Sequence, residues 1–155
     1  MILGMSTHLY TQIHVAISLI GIATGLLVAL GMLANNALPR MTSLFLLTTA
    51  LTSVTGFFFP WKGFTPGIKL GILSLIILLI AIIARNRRWR RTYVITAMIA
   101  LYLNVFVLIA QLFEHIPKLH ALAPADFKIA QTILLILFAV LTFAANKKFR
   151  FVRLA

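Results

Sequence analysis

Cysteine is absent from this 155-residue chain, and only two residues, Glu114 and Asp126, carry negative charge. The missing thiols exclude thiol redox chemistry, iron–sulfur ligation and disulfide exchange. Two carboxylates leave little for acid–base catalysis, and both fall in one loop, where solubility explains them as well as an acid–base couple would. No phosphate-binding glycine loop, nucleophile elbow, HExxH helix or dinucleotide fingerprint occurs. There is also no internal repeat or low-complexity segment.

Apolar residues make up 62% of the chain and charged residues 10%. A soluble domain of this size cannot hide that much apolar surface, so lipid is the expected solvent. The formal net charge of +12 would suggest nucleic acid in a soluble protein. No aromatic-interleaved basic surface accompanies it here, and the charges read as membrane anchors instead. Nucleic acid is therefore not an expected partner, whereas the lipid bilayer is.

Hydropathy divides the chain into five apolar stretches, at about residues 13–34, 42–59, 67–84, 92–113 and 128–145. They predict an all-α integral membrane bundle of five transmembrane helices forming one domain over residues 1–155. The Asn35-Asn36 pair and Pro39 break the first helix from the second, and Pro60 closes the second. The link from Pro60 to Pro66 is short enough to force a hairpin, and residues 114–127 form the one sizeable loop. Small residues at Ala34 and Ala37 resemble a peptidase site, but the stretch before them is long and lacks a basic start. It reads as a retained first helix.

Direction follows from the basic residues. Arg40, the five arginines of the Arg85–Arg91 string and Lys147, Lys148, Arg150 and Arg153 fall on one side; Lys62, Lys69, Lys118 and Lys128 fall on the other. The positive-inside rule then puts the N-terminus outside and the C-terminus in the cytoplasm. Trp61 with Phe57, Phe58, Phe59 and Phe64 would form the outer aromatic belt, and Trp89 with Tyr93 the inner one. An odd number of spans argues against a simple inverted-repeat transporter.

At about 100° per residue, His14, Ser18, Gly21, Gly25, Val28 and Met32 share one face of the first helix. Gly21 and Gly25 form a GxxxG spacing suited to close helix packing. The third helix repeats the pattern with Gly67, Gly71, Ser74 and Ala81, with Lys69 snorkelling outward. Ala97, Ala100, Asn104, Gln111 and His115 line one stripe of the fourth. Amides there need partners, because an unpaired polar group in hydrocarbon costs roughly a few kcal/mol. The second helix offers Thr48, Thr52 and Thr55, with Thr49 and Ser53 alongside. Together with Ser18, Asn104, Gln111 and Gln131 these define an expected polar bundle interior, serving as interhelical fastening or as a substrate path. Hydroxyls can also satisfy their own helix by bonding back to the i−4 carbonyl, which would make the threonines no more than tolerated polarity; of the other two roles, interhelical fastening is the favoured one.

The expected topology gathers His8, His14, Glu114, His115, His120, Asp126, Gln111 and Gln131 toward the outer end. His14 and His115 are the candidate cofactor ligands, as an axial pair for haem or, with Glu114, as a divalent-metal site. The competing reading makes these two histidines interfacial hydrogen-bonding groups, and His8 and His120 solvated loop residues.

The segments Thr52–Pro60 (TSVTGFFFP), Gly63–Pro66 (GFTP) and Tyr102–Gln111 (YLNVFVLIAQ) resemble those of small uncharacterised bacterial inner-membrane proteins, over most of the chain. The resemblance implies a bacterial inner-membrane location and no activity. Three functional expectations remain. The first is a non-enzymatic accessory or assembly subunit with a protein partner or a second copy of itself. The second is a haem-, metal- or quinone-binding redox protein using His14 and His115. The third is a small-solute transporter or channel lined by Asn104, Gln111 and the helix-two hydroxyls.

Overall fold

The apolar periodicity resolves into helices alone. A computed structural model describes residues 2, 4–59, 63, 65–120 and 124–151. The helices are α1 (Thr7–Leu33), α2 (Pro39–Gly56), α3 (Pro66–Asn86), α4 (Arg90–His115), the single-turn α5 (Pro117–His120) and α6 (Pro124–Lys148), with no strand among the described residues. Helix α1 starts a turn and a half before its apolar run, because the Ser6 hydroxyl accepts from Leu9 N at 3.2 Å and caps it. The polar lead is therefore helical. Thr65 caps α3 in the same way, and proline opens both α2 and α3, where its missing N–H costs nothing.

Two tight turns close the same end of the bundle. Asn35 (φ 54°) and Arg88 (φ 58°) occupy the left-handed region just past α1 and α3. The next amides reach back five residues, Asn36 N to Gly31 O and Trp89 N to Ala84 O, each at 2.8 Å. This is the Schellman arrangement, which satisfies helix-terminal carbonyls and reverses the chain at once.

Long-range contacts fix the course of the chain. At one end, Arg85 of α3 donates to Ser43 Oγ and Pro39 O of α2, both at 3.1 Å. There too Arg90 of α4 donates to the Asn146 and Phe149 carbonyls, and the Arg150 amide donates to Asn35 Oδ1 at 2.8 Å. At the other end the Tyr10 hydroxyl of α1 donates to Thr55 O of α2 at 2.8 Å, and the Phe113 and Phe127 rings of α4 and α6 meet at 5.4 Å. The five long helices thus run alternately up and down between the two ends.

Helices α1, α3, α4 and α6 are long and apolar enough to cross a membrane. Helix α2, expected as an equal fifth span, falls short on composition because seven of its 18 residues are Ser or Thr. It nonetheless packs against α1 along its length. Gly21 lies against Thr48 and Thr49, where an added Cβ would come within 3.2 Å of Thr48 Oγ1. A Cβ on Gly25 would sit 2.6 Å from Leu101 Cδ1 and 2.8 Å from Phe45 Cε2. The GxxxG pair is thus the seat for α2 and α4. Phe45 and Leu101 belong to one buried core cluster with Val94, Ala97, Ala100, Ala81 and Ala84.

The aromatic belts differ from expectation. Tyr93 is buried, its ring among Phe149 and Phe151 and its hydroxyl a long 3.5 Å from Thr42 Oγ1, while Trp89 stays exposed. Phe59 packs on Tyr10 and Phe57 faces Gly71, so Phe58 is the exposed ring of that trio. Trp61 and Phe64, like Pro60, Lys62 and Arg153, lie outside the described residues.

Gly25→Ala should lower stability by about 1–3 kcal/mol through overpacking. Gly67→Ala, whose Cβ would meet nothing nearer than Thr65 Oγ1 at 3.8 Å, should be neutral or slightly stabilising. Thermal unfolding of both variants in mild detergent, followed by circular dichroism, checks this; equal losses would contradict the packing role given to Gly25.

Candidate functional site

Two polar groupings come from the folded chain, one at the end holding His14 and one in the middle of the bundle. The first is built on the opening turns of α1 and the last turn of α2. Tyr10 and His14 stand four residues apart, hence on one face, and that face meets Thr55 and Phe59. His14 Nδ1 lies 2.8 Å from Thr55 Oγ1, and the Phe59 ring stands edge-on to both Tyr10 and His14 at 5.2 Å. Thr55 Oγ1 already donates its one proton to Leu51 O at 2.7 Å. With that proton on Leu51 O, the imidazole donates from Nδ1 and keeps a lone pair on Nε2 in the neutral ring. His14 is half-buried and Tyr10 buried.

His115 makes a different contact. It is exposed at the end of α4, and its Nδ1 donates to Gln111 O of its own helix at 3.1 Å. His14 and His115 share no partner, and Glu114 beside the latter is exposed. Among the described residues no three His, Asp or Glu side chains come together as a metal-binding group, so His14, Glu114 and His115 do not converge. Asp126 is half-buried in the first turn of α6. His8 is exposed and borders a shallow groove of about 380 Å³ with Thr11, Gln12 and Val15 on the outer surface of α1. The side chain of His120 lies outside the described residues.

The mid-bundle grouping centres on α2. Asn104 of α4 donates from Nδ2 to Thr49 Oγ1 at 2.9 Å, and Thr49 is fully buried. Thr48 Oγ1 bonds back to Leu44 O at 2.7 Å and Ser53 Oγ to Thr49 O at 3.0 Å. Thr24 and Thr96 do the same within α1 and α4, satisfying their hydroxyls without any outside partner. Gln131 of α6, buried, donates from Nε2 to Phe106 O at 3.1 Å, while its Oε1 and the Thr52 hydroxyl are buried without a hydrogen bond. Ser18 is half-buried.

Gln111 departs from the expected interior, since its side chain is exposed. It shares a helical face with Asn104, but the buried residues of α4 end at Leu103. Asn104 is half-buried against Thr49, and at the height of Gln111 none of the described residues buries the stripe. A third feature escaped the sequence reading: a cleft of about 110 Å³ at the opposite end, lined by Met32, Asn36, Thr42, Arg85, Tyr93 and Phe149 among others. Tyr10 as a buried anchor was also missed. Its signal was its place four residues before His14, which becomes visible once α1 is extended to its Ser6 cap.

Compared with protein-family models, curated proteins and solved structures, the chain shows no significant match.

Asn104→Leu should cost roughly 0.6–1.7 kcal/mol, the range for interhelical hydrogen bonds in bilayers. Gln131→Leu should cost less or stabilise, because it removes a buried carbonyl oxygen that already lacks a partner. Unfolding free energies in detergent micelles or bicelles decide the matter, and a larger loss for Gln131→Leu would reverse the assignment.

Proposed function

We propose that this chain is a small multi-span bacterial inner-membrane protein that serves as a non-enzymatic accessory or assembly subunit. In this reading α2 is the fifth span, the N-terminus lies outside and the C-terminus lies in the cytoplasm. The observation that carries the reading is how the inward polar groups are used. Asn104, Thr49, Tyr10, His14 and Thr55 are engaged in fastening one helix to another, and most of the remaining interior hydroxyls bond to their own backbone. Side chains committed in this way hold a scaffold together and are not aligned on a common substrate.

The outer surface supports the same reading. Ile129, Ile133, Ile136, Val140 and Phe143 of α6 are all more than half exposed, a broad apolar flank suited to lipid or to another membrane helix. Four apolar helices fit a multi-pass membrane protein. A fifth crossing by α2 is physically consistent because 18 residues at about 1.5 Å each nearly match a hydrocarbon thickness of ~30 Å. Its hydroxyl-rich face turns toward α1 and α4. The charge asymmetry supports the orientation: nine described Lys and Arg, from Arg40 through the Arg85–Arg91 string to Arg150, lie at one end.

Extraction in a mild detergent followed by native mass measurement tests the function. The expected result is a defined complex heavier than the 17.2 kDa chain, containing a second copy or another membrane polypeptide. A lone monomer under every gentle condition would overturn the subunit reading. Because the chain has no cysteine, single substitutions report its sidedness without background. Thr7→Cys and Glu114→Cys should react with an impermeant maleimide on intact cells, and Arg87→Cys only after lysis; the reverse pattern would invert the topology.

A further inference from the structure

We propose that the basic end of the bundle is a docking surface for anionic phospholipid headgroups, with the lipid phosphate as the recognised group. The nine described Lys and Arg lie at this end, and the chain's two acidic side chains, Glu114 and Asp126, lie at the other. The partners that the fold gives to Arg85 and Arg90 are neutral oxygens: a serine hydroxyl and the carbonyls of Pro39, Asn146 and Phe149. Those bonds orient the guanidinium groups but do not neutralise them. Like charges on neighbouring positions of the Arg85–Arg91 string repel one another over a range set by the Debye length, ~8 Å at physiological salt, unless outside anions intervene.

The helix termini add to the imbalance. Helices α2 and α4 both begin at this end without a side-chain cap and without an acidic residue in the first turn. Arg40, Arg90 and Arg91 stand where a carboxylate would complement the helix dipole. With a formal net charge of +12, most of the countercharge has to come from beyond the protein.

The position of the charges relative to the apolar surface identifies its source as lipid. Lys147 Nζ lies 4.4 Å from the centroid of the Phe143 ring, and Phe143 is among the most exposed apolar residues of the chain. Trp89, 57% exposed, sits inside the arginine string, with exposed Ile82 and Ile83 just before it. The cations therefore border the apolar flank directly, at the level where acyl chain gives way to headgroup. Phosphates of the surrounding lipid occupy that level in any bilayer. Basic residues beside a membrane surface attract anionic lipids additively and in a salt-sensitive way.

Trp89 is also the reporter. The chain has two tryptophans, so Trp61→Phe leaves Trp89 alone at the basic end. Its fluorescence is measured in phosphatidylcholine vesicles containing either brominated phosphatidylglycerol or brominated phosphatidylcholine. Brominated phosphatidylglycerol should reach half-quenching at roughly a five-fold lower mole fraction, with the preference shrinking toward unity in 1 M salt. Replacing the exposed Arg40, Arg87, Arg91 and Lys148 with glutamine should bring the two lipids close to parity. Equal quenching in the parent protein overturns the proposal, as does a preference that survives either high salt or the fourfold substitution. A preference lost to inorganic phosphate, but not to chloride of equal ionic strength, would assign the surface to a soluble anion and overturn it too. Should the fourfold variant fail to fold, as judged by circular dichroism in phosphatidylcholine, the salt titration of the parent protein decides alone.

Discussion

A helix carrying seven hydroxyl residues in 18 positions cannot face hydrocarbon on all sides, and the arrangement of the other helices follows from that constraint. Helix α2 resolves it in two ways at once. Its hydroxyls bond back to its own carbonyls wherever they can, and its most polar face is pressed against α1 and α4. The cost of close approach is met by small residues opposite: Gly21 against Thr48 and Thr49, and Gly25 against Phe45. Had Gly21 or Gly25 been larger, α2 would be held off and its threonines uncovered. Asn104 completes the arrangement by reaching Thr49, the most deeply buried hydroxyl of the chain.

Both ends of α2 are pinned by neighbours from different helices. Tyr10 and His14 hold the Thr55 end from α1. Arg85 holds the Pro39 end from α3, with Tyr93 of α4 close by. The pinning at the first end comes from hydrogen-bonding aromatic rings, while at the second it is cationic. This difference gives the molecule its polarity: one end concentrates positive charge beside exposed apolar residues, and the other holds both carboxylates, the histidines and a few lysines. Packing in the middle holds the two ends apart.

Much of this was legible in the sequence because helix faces have a fixed period. Gly21, Gly25, Val28 and Met32 were placed inward on α1, and Ala97 and Ala100 on α4, and all are buried. What periodicity does not encode is how far along a helix its neighbours reach, and for that reason Gln111 was expected inside and is exposed. Nor does it encode contacts across many residues: the pairing of His14 with Thr55 spans 41 positions and that of Asn104 with Thr49 spans 55. Tyr10 was read as part of a polar lead because hydropathy marks where apolar residues begin, whereas the helix begins at its cap, Ser6. Tyr93 was assigned to an interfacial belt on residue type alone; its neighbours Phe149 and Phe151 come from the far end of the chain and bury it. Composition likewise overstated the apolarity of α2, whose threonines serve the interior.

The central claim is that α2 lies within the bundle with one exposed apolar edge. A spin-label scan along residues 44–55 reads this directly, by comparing relaxation from dissolved oxygen with that from a water-soluble nickel complex. Oxygen accessibility should rise at Leu44, Leu47, Leu51 and Val54 and fall at Phe45, Thr48 and Thr49, following a period of about 3.6 residues, as their exposures require. Nickel should stay excluded through the middle of the helix. Nickel access along the whole segment, or oxygen accessibility without that period, would place α2 outside the bundle and contradict the account.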